Sequence, residues 1–163
     1  MNVEHFATIF QGWPPELVTF LVGMVPIFEL RGAIPLAITY FKLNTFVAFF
    51  WAVLGNITVM LLLAFLLEWG VNFITKHFSW GEKFFKWLFE RTHKKTHKQI
   101  EKYGDWGLFF LVAIPLPMTG GWTGVLAAFL FEINKKKALP IIASGIFTAG
   151  LIVTALTVGI IKF

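Results

Sequence analysis

Two stretches of this chain are free of charge or nearly so: Thr45–Trp69 carries none until Glu68, and Ala138–Ile161 none throughout. Each is long enough to cross ~30 Å of hydrocarbon as a helix, and in lipid every backbone polar group must be satisfied within the chain. That constraint leaves helices as the building material. Composition agrees: of 163 residues 57% are hydrophobic, 18% aromatic and 14% charged, against roughly 25% charged in a soluble domain. Twenty Phe and seven Trp exceed what a core of this size holds, so the excess is expected to face lipid. No Lys or Arg precedes Arg31, so the basic start of a signal peptide is missing. Cysteine is absent, which excludes disulfides and thiolate metal sites.

Two further apolar stretches, Leu17–Tyr40 and Leu108–Phe131, are interrupted. The first carries Pro26, Glu29, Arg31, Gly32 and Pro35; the second carries Pro115-Leu116-Pro117-Met118-Thr119-Gly120-Gly121-Trp122-Thr123-Gly124. Proline removes a backbone donor and clashes with the preceding turn, while paired glycines allow angles a helix does not use. Each stretch therefore reads as two half-helices, with Pro26, Pro35, Pro115 and Pro117 making the breaks. Irregular backbone at membrane depth is tolerated only where protein or a wet cavity surrounds it. The chain is either a set of broken spanning helices or a pair of re-entrant hairpins.

The positive-inside rule separates the two. Eight of the fourteen Lys/Arg lie between Lys76 and Lys102, and three more form Lys135-Lys136-Lys137. If Leu108–Phe131 returns to the side it enters from, eleven of the thirteen loop Lys/Arg are cytoplasmic. The re-entrant arrangement is therefore expected, in a plasma or inner cell membrane, with both termini outside. The fold class expected is an all-α integral membrane protein, an inverted repeat of a re-entrant helical hairpin plus a transmembrane helix. Residues 1–70 form the first half, 71–103 a basic amphipathic cytoplasmic connector and 104–163 the second half. An interfacial helix around Phe6, Ile9, Phe10 and Trp13 opens the chain. Ser79 and Glu82 read as a capping box starting the connector helix. Pro26 and Pro115 are 89 positions apart, while Asn44/Asn134 and Gly55/Gly145 are each 90 apart. This is the weak internal symmetry of an inverted-topology repeat.

Glu29 and Arg31 are the charged residues well inside an apolar stretch. A charge at membrane depth is costly, so such residues usually face a cavity or a partner. Spaced i,i+2, they point to different helix faces, but a non-helical turn would let them pair. One reading is structural, the pair holding the two tips together. The other is a binding site. There Arg31 offers a fork of donors to a phosphate or carboxylate, and Glu29 exchanges a proton. Gly32 permits close backbone approach. Thr119, Gly120, Gly121 and Thr123 supply hydroxyls and backbone N–H groups at a half-helix start, a favourable anion site, with Trp122 as packing residue or ligand contact. Asn56 is placed to hydrogen-bond to the first hairpin. His93 and His97 are i,i+4 but lack a third ligand, so no metal and no cofactor is expected. The basic patches point to anionic lipid headgroups rather than nucleic acid.

The segments Pro26–Pro35 and Pro115–Gly124 resemble the two hallmark segments of the small multidrug export protein family, itself similar to the DedA/VTT superfamily of membrane proteins. In the second segment Met118 and Gly121 stand where that family's pattern has Gly and Ala. The resemblance implies paired re-entrant hairpins in an inverted repeat. Through the superfamily it also implies movement of lipids, polyprenyl-phosphate carriers among them.

Several functions stay open at this level. The first is a transporter or flippase for an amphiphile with an anionic, phosphate-type headgroup, coupled to protons or another ion. A cation-coupled multidrug exporter would use Glu29 as counter-ion, although Arg31 beside it repels such cargo. An intramembrane lipid phosphatase lacks a second carboxylate and a Ser or His nucleophile near the tips, so a non-enzyme is expected. A scaffold without substrate, or a homodimer built on the open hairpins, completes the set.

Overall fold

A computed structural model describes residues 12–77, 83–92, 103–104, 106–115 and 119–162. Among the described residues every regular element is helical. The order is α1 (Pro15–Met24), α2 (Glu29–Pro35), a π-helical turn (Leu36–Tyr40), α3 (Thr45–His77), α4 (83–92), α5 (Trp106–Ala113), α6 (Gly121–Leu130) and α7 (Lys135–Lys162). The interfacial helix expected around Phe6 and Phe10, the capping box at Ser79–Glu82, Pro117 and both His93 and His97 lie outside the described residues.

The two charge-free runs form the two long helices, with membrane-compatible spans at Thr45–Leu67 and Lys135–Ile161. They pack antiparallel. Phe49 meets Phe147 edge-on at 5.3 Å, and Gly150 lies against Phe49 and Val53. Farther along, Ala64 and Leu67 share a cleft with Asn134, Lys135 and Ala138. Polarity is inverted relative to a soluble bundle. Phe46 and Ile160 are 74% and 77% exposed while Asn56 and Glu29 are 1% and 6% exposed. Surface aromatic and aliphatic groups of this size belong in hydrocarbon, and buried polar ones in a protein interior. The molecule is a helical membrane protein.

Both interrupted stretches form pairs of short helices. α1 and α5 have 10 and 8 residues, too short to cross the bilayer alone. The break after α1 centres on Pro26, as the sequence predicts; the turn is closed by Phe28 and Glu29 N–H groups donating to the Val25 carbonyl, at 3.1 and 2.9 Å. The break after α5 begins at Ile114-Pro115. Pro35 is a correction. The sequence predicts that it ends a half-helix, yet the chain runs on through it as the π-helical turn Leu36–Tyr40. Pro35 forfeits only the bond to the Arg31 carbonyl, and the wider turn follows it. The first long helix also differs from expectation at its end: α3 continues without interruption past Gly70 to His77, well into the segment read as connector.

Positions 90 residues apart carry like tasks. Asn44 and Asn134 each cap a long helix, accepting the N–H two residues on (Phe46 and Lys136) at 2.9 Å. The preceding turns hold Lys42 and Glu132 in the left-handed region, φ 55 and 53. Gly55 lies against the Phe20 carbonyl of α1, and Gly145 against the Phe109 carbonyl of α5. Gly23 faces the backbone of Ala52, where an added Cβ would sit 2.8 Å from its carbonyl oxygen. Small residues thus let each first half-helix rest directly on the backbone of a long helix, which is how helices associate when lipid supplies no hydrophobic drive.

Candidate functional site

The two breaks bring Glu29, Arg31, Thr119, Gly120 and Trp122 together across some 90 positions of chain. Glu29 is the pivot. Its φ of 46 is unusual for a non-glycine residue and turns its side chain away from the course a helix start would impose. That turn resolves the spacing problem of an i,i+2 pair. The Arg31 Nη2 donates to Glu29 Oε2 at 3.3 Å, and the same nitrogen donates to the Thr119 backbone carbonyl in the other break. The Glu29 carboxylate in turn accepts the backbone N–H of Trp122, in the first turn of α6.

Glu29 therefore caps α6 from another part of the chain. Gly120, the residue before α6, has φ 135 and ψ −166 and offers no side-chain cap. The helix's exposed N–H groups and positive dipole end attract a carboxylate instead. Any Cβ at position 120 would run into that carboxylate, with its Cδ 2.7 Å away. Trp122 Nε1 donates to the Met24 carbonyl at 3.3 Å, a second tie between the breaks. Thr119 Oγ1 donates to the Ile114 carbonyl at 3.1 Å, folding the second break on itself.

The pair is asymmetric in exposure. The Arg31 side chain is 28% exposed and that of Glu29 8%. Arg31 faces a cavity of about 770 Å³ that Pro26, Glu29, Thr119, Trp122 and Thr123 also line. Its remaining walls are largely apolar: Leu63, Leu66 and Leu67 of α3, Leu126 of α6, and Phe84, Phe85 and Leu88 of α4. Arg91 and Thr92 of α4 join the lining. Arg91 Cζ lies 5.2 Å from the Trp87 ring centroid, within cation–π range.

Not every expected site residue reaches this cavity. Gly32 packs on α2 against Phe28, where a Cβ would be 2.8 Å from Phe28 Cβ. Gly120 and Gly121 line a gap of about 10 Å³ between the breaks, together with Asn56, Ile146 and Ala149. Asn56 reaches this gap with its Oδ1 buried and, among the described residues, without a hydrogen-bond partner. Arg91 and the α4 wall escape sequence reasoning, which assigns that stretch to a basic amphipathic cytoplasmic connector. The alternation of Phe84, Phe85 and Leu88 with charged residues marks an amphipathic face, but not what it covers. No group of three or more metal-ligating side chains occurs among the described residues.

A family model described as "Putative small multi-drug export protein" matches residues 29–152, which take in Glu29 and Arg31, the second break, α3 and most of α7. The chain belongs to that family. No curated protein and no solved structure matches it. The small multi-drug export family is described by export, a membrane process, rather than by catalysis.

Proposed function

We propose that this member of the small multi-drug export family moves an amphiphile with an anionic headgroup across the cell membrane. The observation that carries the reading is the cavity: apolar walls sized for a hydrocarbon chain, ending on Arg31, with Arg91 on the same lining. Pockets for small ligands are mostly apolar, with a few placed polar groups setting orientation. Here those groups are two guanidinium ions, the threonines Thr92, Thr119 and Thr123 and the Glu29 carboxylate; two cations against one carboxylate leave a net positive lining, which favours a phosphate or a carboxylate over a cation.

Glu29 supplies a route to coupling. An anion arriving at Arg31 competes with the Glu29 carboxylate for the same donors. A proton taken up by Glu29 removes that competition, so anion and proton load together. Among the described residues Glu29 pairs with Arg31 and accepts the α6 backbone N–H of Trp122.

The breaks are read as the tips of two re-entrant hairpins in an inverted repeat. Support comes from the short first arms and from the antiparallel long helices, which put the start of α7 beside the far end of the α3 span. A chain that leaves α3 and re-enters α7 at one face must return there in between. The paired tasks of Asn44/Asn134 and Gly55/Gly145 extend the reading to the first half. The basic 71–103 segment is then cytoplasmic.

The family's description favours a second reading, export of lipophilic cations. Calorimetric titration of the purified protein with dodecyl phosphate and with dodecyltrimethylammonium separates the two. The expected result is phosphate binding tighter by about tenfold or more, as a charge-assisted hydrogen bond worth ~1.5–3 kcal/mol requires. Arg91→Gln is expected to weaken that binding by about threefold to tenfold. Tighter binding of the trimethylammonium ion would instead favour the cation exporter.

A further inference from the structure

We propose that one water molecule binds in the small gap between Asn56 and Glu29, and that it accepts the Glu29 O–H when this group is protonated, a role that rests on the proton uptake proposed above. The gap offers about 10 Å³ to the centre of a water-sized sphere, close to what a single buried water needs. Asn56 points to the occupant. It lies within the α3 span, is 1% exposed, and its buried Oδ1 has no hydrogen-bond partner among the described residues. An unpaired buried acceptor is costly, and such groups in folded proteins are paired with protein or with ordered water. The same oxygen reaches the start of α6, where a Cβ added at Gly121 would lie 2.5 Å from it. Glu29 brings a carboxylate to the same lining.

Two acceptors on one small space call for an occupant that donates to both, and water does. A cation is opposed by the Arg31 guanidinium, which shares the lining, and by the positive end of α6. Glu29 lines both this gap and the transport cavity. A proton arriving from the cavity turns its carboxylate into an O–H donor. Its partners there, the Arg31 guanidinium and the Trp122 N–H, are donors themselves and cannot accept that O–H. The water can, by turning about its oxygen. It donates to the carboxylate when Glu29 is charged, accepts the O–H when Glu29 is neutral, and donates to Asn56 Oδ1 in both states. Asn56 is thereby a positioning residue for the proton on Glu29. Among the described residues the other charged groups around Glu29 are Arg31 of α2 and Arg91 of α4, the latter on the cavity side; α3, α5, α6 and α7 bring no titratable side chain to the gap.

The test is infrared difference spectroscopy of the full-length protein in detergent, acid minus alkaline, in ordinary water and in water carrying the heavy oxygen isotope. Protonation of Glu29 gives a carboxyl C=O band that Glu29→Gln removes. Beside it, the unmodified protein is expected to show a water O–H stretching band that moves on isotope exchange. Asn56→Leu, close in size but apolar, should lose the water band and shift the carboxyl band to higher frequency. A carboxyl band without an isotope-sensitive water band would overturn the proposal and leave the proton-uptake reading standing. A water band unchanged in Asn56→Leu would overturn it as well. Absence of the Glu29 carboxyl band would overturn the proton-uptake reading and, with it, the role given to the water. Thermal unfolding in sodium chloride and in choline chloride should coincide; a rise specific to sodium would assign the gap to a cation and overturn the water.

Discussion

Replacing Arg31 with Ala is expected to lower uptake of an anionic amphiphile into proteoliposomes by about tenfold to a hundredfold, the loss that one or two charge-assisted hydrogen bonds imply. The same change strips the nearly buried Glu29 carboxylate of its cation. Breaking a buried pair costs ~3–5 kcal/mol, and because Arg31 is more than a quarter exposed a loss of about 1–3 kcal/mol is expected here. Activity and stability therefore fall together in this variant, and the single change does not tell a binding arginine from a structural one. The double variant Glu29→Gln with Arg31→Ala does. The neutral amide introduced at position 29 needs no cation and can still accept the Trp122 N–H, so thermal stability in detergent should recover most of its loss. Uptake should not recover. If uptake returns along with stability, the pair is only a clasp between the two breaks.

Gly120→Ala is expected to be strongly damaging for a single added methyl. At φ 135 and ψ −166 the residue occupies a region reserved almost entirely for glycine, which costs a side chain of order 1–3 kcal/mol. The added Cβ also falls onto the Glu29 carboxylate. That group cannot retreat without giving up both Arg31 and the Trp122 N–H, so the steric and electrostatic costs add. A loss of at least about 3 kcal/mol is expected, together with loss of amphiphile binding. Gly159→Ala is the control: nothing lies within 4 Å of its added Cβ, and in a helix Ala is favoured over Gly by roughly 1 kcal/mol. Thermal unfolding of the two variants should diverge in opposite directions. A Gly120→Ala protein as stable as the unmodified one would mean that Glu29 does not cap α6.

These expectations rest on contacts of unequal visibility in the sequence. The spans at Thr45 and Lys135 follow from charge-free runs, because the cost of burying charge in lipid acts locally. The breaks at Pro26 and Pro115 follow from backbone chemistry for the same reason. Pro35 obeys that chemistry but not the expected outcome: it forfeits one helical hydrogen bond and the chain still runs on into the π-helical turn. The pairing of Glu29 with α6 is beyond the reach of sequence reasoning. It needs a left-handed Glu, which no propensity favours, and a contact between residues 91 and 93 positions apart. Sequence reasoning places a substrate anion at the start of α6; in this structure the protein's own carboxylate occupies it. Lys42 and Glu132 adopt the same backbone conformation at an interval of 90 positions, yet their opposite charges conceal the likeness. Arg91 is hidden for a different reason. An amphipathic helix rich in Lys has the same pattern whether it floats at the interface or forms one wall of a cavity.

The most direct measurement is a structure of the protein determined with dodecyl phosphate bound. The account predicts headgroup density within about 3 Å of the Arg31 guanidinium, with the alkyl chain along Leu63, Leu66 and Leu126. Headgroup density elsewhere, with Arg31 still held by Glu29 and the Thr119 carbonyl, would contradict it.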